Sequence, residues 1–282
     1  MLTLLERSIA SVEGRLTLLA PPGPLSATFR NVDIDAARHQ QLFREMQRLR
    51  GDVYLRDGAI ERHELSPEGL HQTPEDEKSW HLLMLGDDGR LNSCIWYMEH
   101  ENSTAIDALR AGSCWLARHA KSRDVFRRAV EAELAQARSE SIRFAESGGW
   151  AVAEGNRCSS EGLVLALGAF AMGNITGGVR ALATATARHC SSTILRRLGG
   201  SLLAAGGQPI ASYYDPKYKC DMELLRFDSR RPNPKYAGLI DNLCQKLSDV
   251  PVIARSVYEV IAEVDTVCLQ PERHQHRWAV AS

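Results

Sequence analysis

Apolar and polar positions divide this chain into stretches with a clear period and stretches with none. The first 34 residues carry little pattern beyond the turn at Pro21 to Pro24, and from Asp35 to Leu49 the residues Leu42, Met46 and Leu49 recur at helical spacing. Val53-Tyr54-Leu55 then reads as a short strand, and Glu61 to Lys78, rich in Glu, His and Pro, as a long polar loop of the kind that forms substrate entrances or lids. SWHLLML (79–85) and LNSCIWYMEH (91–100) flank an Asp-Gly turn, a strong hairpin signature. A helix is predicted from Ser122 to Phe144, with Val125, Phe126, Val130, Leu134 and Ile142 on one face.

The second half alternates strands and helices. Trp150 to Ala153 is a short apolar run, and Leu163 to Met172 is almost wholly apolar, so a strand is followed at once by a long helix. The turn between them exposes backbone N–H groups at the positive end of a helix dipole, an arrangement that attracts phosphate. Gly177-Gly178 end the helix, VRALATATAR (179–188) reads as a buried strand, and HCSSTILRRLG (189–199) as a helix stopped at Gly199-Gly200. Ser201 to Ala205 predicts a strand before the Gly206-Gly207 turn, Cys220 to Phe227 a last strand, and residues 235 to 264 two helices ahead of a polar tail. This order predicts an α/β (α+β) protein with a mixed sheet and helices on both faces.

Composition narrows the function classes. With 282 residues, 44% of them hydrophobic, the chain can bury a large core, and a formal charge of −1 with scattered Lys and Arg argues against a nucleic-acid partner. Glu6, Arg7, Glu13 and Arg15 interrupt the N-terminal leucines before a signal peptide could form, and no stretch reaches the roughly 20 apolar residues of a membrane span. Seven cysteines form no CxxC pair and no His/Cys cluster with zinc spacing, so no metal site is expected, and they read as free thiols of a cytoplasmic protein.

The phosphate turn also carries a family resemblance. Arg157, Ser160 and Gly162 match the Gln/Arg-x-x-Gly-x-Gly/Ala signature of the GNAT superfamily of N-acetyltransferases; upstream, Glu146 and Ala151-Val152 stand where that family places a Glu and a small-apolar-Val strand end. Downstream, Arg197-Leu198-Gly199 matches its Lys/Arg-Leu-Gly tripeptide. The front half, with Arg50 to Tyr54, the polar loop and HLLML, resembles the N-acyl amino acid synthase and acyl-homoserine lactone synthase branch. The resemblance implies a GNAT-like, mostly antiparallel central sheet with a splayed parallel pair. It places residues 1–50 as an N-terminal arm and helix, 51–230 as the acyltransferase domain and 231–282 as a C-terminal helical extension. It implies an acyl group delivered as a pantetheine thioester, on acyl carrier protein or acyl-CoA, as co-substrate with no permanently bound cofactor, and a small amine acceptor such as an amino acid. Two positions depart from the pattern: Ser160 replaces the first glycine, and Leu195 stands where many members carry the tyrosine that protonates the departing thiolate.

Acyl transfer needs a base for the ammonium proton, donors for the oxyanion and an acid for the thiolate. Glu146 is the candidate base, with a solvated Glu at a helix end as the plain alternative. Arg157, with Ser160, Glu161, Gly162 and Val152, is the candidate phosphate and pantetheine contact; a surface arginine is the alternative. His189 is a candidate acid or acceptor contact or else an exposed cap, and one of Tyr213, Tyr214 and Tyr218 stands in for the missing tyrosine or packs at the core rim. Cys158 and Cys190 show no Cys-His pairing and read as structural thiols. Arg188, Arg196, Arg197, Arg230 and Arg231 offer a small basic face to an acidic carrier protein or are solvated helix faces. A non-catalytic acyl- or CoA-binding module is the rival function, favoured by Ser160 and Leu195, and the apolar helix from Leu163 is a candidate homodimer surface.

Overall fold

The structure is a computed structural model that describes residues 2–157 and 159–256. In chain order the elements are α1 (Leu2–Ala10), β1 (Leu16–Leu19), β2 (Val32–Ile34), α2 (Ala36–Arg56), β3 (Trp80–Leu85), β4 (Leu91–His100), α3 (Trp115–Arg118), α4 (Arg123–Ser139), β5 (Arg143–Val152), α5 (Glu161–Ile175) and β6 (Val179–Thr186). They continue as α6 (Ser191–Leu198), β7 (Ser201–Leu202), β8 (Ala204–Ala205), β9 (Gln208–Pro209), β10 (Tyr213–Asp215), β11 (Cys220–Asp228), α7 (Pro234–Leu247) and β12 (Val252–Ala254).

One large sheet runs in the order β10-β11-β6-β5-β4-β3-β1-β12-β2, with β7 also paired to β11. Its neighbours are antiparallel except for β5 with β6, β1 with β12 and β12 with β2. Helices cover both faces. On one, α2 packs Leu42, Phe43, Met46 and Val53 against Leu83, Cys94 and Ala151, and α4 packs Phe126, Val130 and Leu134 against Phe144, Leu182 and Leu224. On the other, α5 lies against Leu82, Ile95 and Tyr97, with α1 and α7 outside it. A helix that is apolar all round must be enclosed, and α5 is enclosed by its own chain, which leaves it no free face for a second copy.

The hairpin, α5, β6, α6 and β11 stand where the sequence places them. Several expectations are corrected. Val53-Tyr54-Leu55 belongs to α2, because Val53 continues the buried stripe of Leu42 and Met46 and the helical period outweighs strand propensity. Phe144 lies in β5: Ser141, at φ 54, turns the chain out of α4, and Val125 is 37% exposed and off the buried face. The patternless start contains α1, which buries Leu5 and Ile9, and β1, buried along its whole length. After α7 the chain enters the sheet as β12 where a second helix was expected; the rest of that expectation, the polar tail and Cys158 lie outside the described residues. β12 lies between β1 and β2, so Val252–Ala254 and the described N-terminal strands share one sheet, and α2 runs through residue 50. Among the described residues no helix is long and apolar enough to cross a membrane.

Candidate functional site

The site is made by the parting of two strands. β5 and β6 pair in parallel from Arg143 opposite Val179 to Glu146 opposite Leu182, and there the pairing stops. The cause is a bulge: Cys94 of β4 faces Ala151 and Trp96 faces Gly148, so three residues of β5 span two of β4 and the strand bends away. Gly149 takes the left-handed φ of 62° that the bulge needs, and the Trp96 ring lies so close over Gly148 that a Cβ there would stand 2.5 Å from its Cζ2.

The gap opens a cavity of about 210 Å³ on the face shared by α2 and α4. Its walls are Ser147 to Trp150 of β5, Ala183 to Thr186 of β6, the α2 residues Arg50, Val53 and Tyr54, and His71, Thr73 and Glu75 of the polar loop. Ile95, Ser147 and Leu195 line it and also line a smaller apolar pocket with Ala166, Phe170 and Phe227 on the α5 side, so the two hollows share a wall at the gap. Leu195, which the sequence resemblance aligned with a tyrosine, lines both hollows.

Glu146 is on the cavity wall and 3% exposed, which excludes a solvated helix-end role. Its Oε2 accepts from Arg110 N at 2.7 Å and from His100 Nε2 at 2.9 Å, while Oε1 accepts from Ala111 N at 2.7 Å. The carboxylate therefore anchors the 110–111 segment, with one lone pair left on Oε1. His189 lines the cavity at its outer edge, with φ 59°, a side chain 47% exposed and Nε2 3.7 Å from Asp57 Oδ2. Of the tyrosines, Tyr218 lines the cavity and its hydroxyl meets Arg110 Nη2 at 3.4 Å, whereas Tyr213 is buried and Tyr214 is 55% exposed.

The phosphate-turn residues are placed differently from expectation. Arg157 donates to Asp57 through Nη2 at 2.5 and 2.6 Å; Asp57 lines the cavity, so Arg157 stands one side chain behind the wall. Burial would raise the Asp57 pKa, but hydrogen bonds from Arg56 and Arg157 hold it below the usual carboxylate range. Ser160 Oγ bonds Ser8 Oγ of α1 at 2.5 Å, and Glu161, 4% exposed, pairs with Arg15 and accepts from Asn92. The positive end of α5 is thus answered by the chain's own carboxylate, and α1 covers it. Gly162 admits Val152 and Trp150, whose atoms would lie 3.1 and 3.4 Å from an added Cβ. Ser160, Glu161, Gly162 and Val152 consequently serve the packing of α5, away from the cavity. Of the basic residues, Arg230 and Arg231 pair with Asp228 and Arg196 with Glu223, so they do not make an uncompensated cationic face, while Arg188 lines the cavity.

One cluster was missed from sequence. Arg50, 1% exposed, donates to both oxygens of Asp76 at 2.7 and 2.6 Å, to His71 Nδ1 from Nε at 3.0 Å and to the His71 carbonyl at 2.5 Å. Thr73 and Gln47 complete the shell around Asp76. Burial opposes ionisation of Asp76, but the Arg50 hydrogen bond and charge hold its pKa down. The signal was present: Arg50 sits between Met46 and Val53 on the buried stripe of α2, and a cation there requires a buried anion. The cluster pins the polar loop that was read as a lid.

Neither a family model nor a curated protein matches the chain. Among solved structures it is similar to FeeM, an N-acyl amino acid synthase from uncultured soil microbes, at 14% identity over 70% of this chain and 88% of that one, TM-score 0.44. It is similar to the acyl-homoserine lactone synthase LasI at 13% identity over 67% and 84%, TM-score 0.43. A third is BjaI, a CoA-dependent acyl-homoserine lactone synthase with SAM and isopentyl-CoA, at 14% identity over 85% and 92%, TM-score 0.45.

Proposed function

We propose that this chain is an N-acyltransferase that moves an acyl group from a pantetheine thioester, on CoA or an acyl carrier protein, to the amine of a small acceptor such as an amino acid. The observation that carries this reading is the cavity where β5 and β6 part. One side of it is polar, the other shares Ile95, Ser147 and Leu195 with an apolar pocket across the sheet, and the Gly149 bulge lines the cavity beside them. An acyl chain suits the apolar side and an amine the polar side. The thioester carbonyl would lie at the bulge, where backbone N–H groups released from the ladder are available.

The amine nitrogen forms a bond to the thioester carbon, the C–S bond breaks, the amine loses a proton and the thiolate gains one, leaving an amide and a free thiol. The remaining lone pair on Glu146 Oε1 is the carboxylate site on the wall that can receive the ammonium proton. Tyr218 is one hydroxyl on the wall that can protonate the thiolate, since Leu195 cannot donate. Arg157 and Arg56, paired with Asp57 behind the cavity wall, are cations near the cavity edge to which carrier phosphate would be drawn.

The test is thiol release from hexanoyl-CoA and from a hexanoyl carrier protein with a panel of amino acids, beside a thermal-shift titration with the same thioesters. Release that requires both thioester and amine supports the reading. Stabilisation by the thioester without any release would leave a binding module, the outcome that Leu195 and the heavily bonded Glu146 favour.

A further inference from the structure

We infer that His71 is a further catalytic residue, whose Nε2–H donates a hydrogen bond to the thioester carbonyl oxygen and to the oxyanion that forms when the amine adds. This rests on the acyl-transfer reading above and extends it to a group outside the family signature.

The geometry fixes which ring nitrogen carries the proton. Arg50 Nε is a donor and lies 3.0 Å from His71 Nδ1, so Nδ1 must accept and the neutral ring carries its hydrogen on Nε2. Arg50 cannot lose its proton to the ring, because Asp76 holds it in a bidentate pair at 2.7 and 2.6 Å. Burial, and then the nearby Arg50 charge, push the His71 pKa down to about 4, which keeps the ring neutral at ordinary pH. A neutral imidazole that cannot readily take a second proton is a donor and not a general base.

The ring is also held in place. The His71 backbone N–H donates to Gln47 O at 3.1 Å, its carbonyl accepts from Arg50 Nη2, and Tyr54 meets the ring edge-on at 5.5 Å between centroids. Arg50 carries this assembly to the bulge, since its Nη1 lies 3.3 Å from the place a Cβ of Gly149 would occupy. His71 lines the cavity and, among the described residues, no protein group accepts from its Nε2. A donor fixed in tautomer and position, facing the cavity beside the parting of the strands, is what stabilisation of a developing oxyanion requires, because it does not have to reorient as charge appears.

The experiment compares wild type with His71→Phe and His71→Gln in single-turnover thiol release from hexanoyl-CoA, with affinity for the same thioester measured separately. Loss of one oxyanion donor lowers the rate by about a hundredfold, so His71→Phe is expected to fall that far with affinity changed by less than about threefold. His71→Gln, which retains an N–H, should recover about a tenth or more of the wild-type rate. Because His71→Phe is also capable of disturbing the loop, a measurement on wild type accompanies it. Adding the ketone analogue 2-oxoheptyl-CoA should move the His71 Nε2–H proton resonance downfield and lower the stretching frequency of its isotope-labelled carbonyl. An unmoved resonance with bound ketone, or a His71→Phe variant as fast as an active wild type, overturns the role of His71 and leaves acyl transfer standing. A wild type that neither releases thiol nor binds the ketone overturns both.

Discussion

At the scale of single residues, buried charge decides the most. Arg50 and Asp76 are each 1% exposed at the side chain, and a buried pair is stable only while both members are present. Asp76→Ala leaves the guanidinium buried without its counter-ion and should cost about 3–5 kcal/mol, read as a lower urea midpoint. Arg50, whose Nε fixes the His71 tautomer, would then lose the carboxylate that holds its guanidinium in place. His81 supplies a pH dependence. It is 1% exposed, bonds the Asp76 carbonyl through Nε2 at 2.8 Å, and burial pushes its pKa from 6.5 to about 4. Below about pH 6.5 the unfolded chain takes up a proton that the folded ring refuses until about pH 4, so stability falls through that window as pH decreases. Its slope is about 1.4 kcal/mol per pH unit from this one group. His81→Gln keeps the donor and removes the titration, so its urea midpoint should fall less steeply than that of wild type across the same window.

At the scale of elements, the cavity depends on the bulge in β5. Trp96 packs over Gly148 and Gly149, and Gly149 combines a φ of 62° with a site where a Cβ would enter the Trp96 ring. Gly149→Ala should therefore cost about 2–5 kcal/mol, the sum of a left-handed backbone penalty and overpacking. Its thermal unfolding temperature should drop and thioester binding should weaken in the same variant; an Ala that changes neither would separate the bulge from the site. The β6 and β11 strands on the other side of the gap are tied to α4 by ions: Arg180 pairs with Glu133 and Glu140, and Arg226 with Glu133. Arg180, Arg230 and Gln136 hydrogen bonds hold the Glu140 pKa at about 2. The two walls of the cavity are thus fixed by different means, glycine and tryptophan packing on β5 and a charge network on β6.

At the scale of the whole molecule, strands far apart along the chain meet in the sheet. β12 pairs in parallel with β1 through Leu18 and Val252 and with β2 through Val252 and Val32, and Val252 and Ile253 are fully buried. A chain ended at Val250 removes the strand that joins β1 to β2 and exposes two unpaired edges. It should lose cooperative unfolding, followed by circular dichroism, and should aggregate on size exclusion. A truncated protein that eluted and melted like wild type would mean that β12 is dispensable.

What the sequence determined by itself was periodic: the hairpin from Trp80 to His100, α5 with its apolar surface on every side, β6, α6 and β11, and the mixed sheet that their order demands. Glu146 and His189, read from sequence as candidate base and candidate acid or exposed cap, both line the cavity, one on the strand into the turn and the other at the start of the helix after β6. The tertiary structure decided the remainder. β1 and β12 are too short to show a period and become strands only because their neighbours' open edges take them up. Arg157, Ser160 and Glu161 are a phosphate motif in sequence, yet Asp57, Ser8 and Arg15, each distant along the chain, occupy their polar atoms. Local spacing specifies which backbone groups a turn exposes, but what fills that exposure, like the partner of Arg50 on its apolar stripe, is settled by segments that meet only once the sheet has assembled.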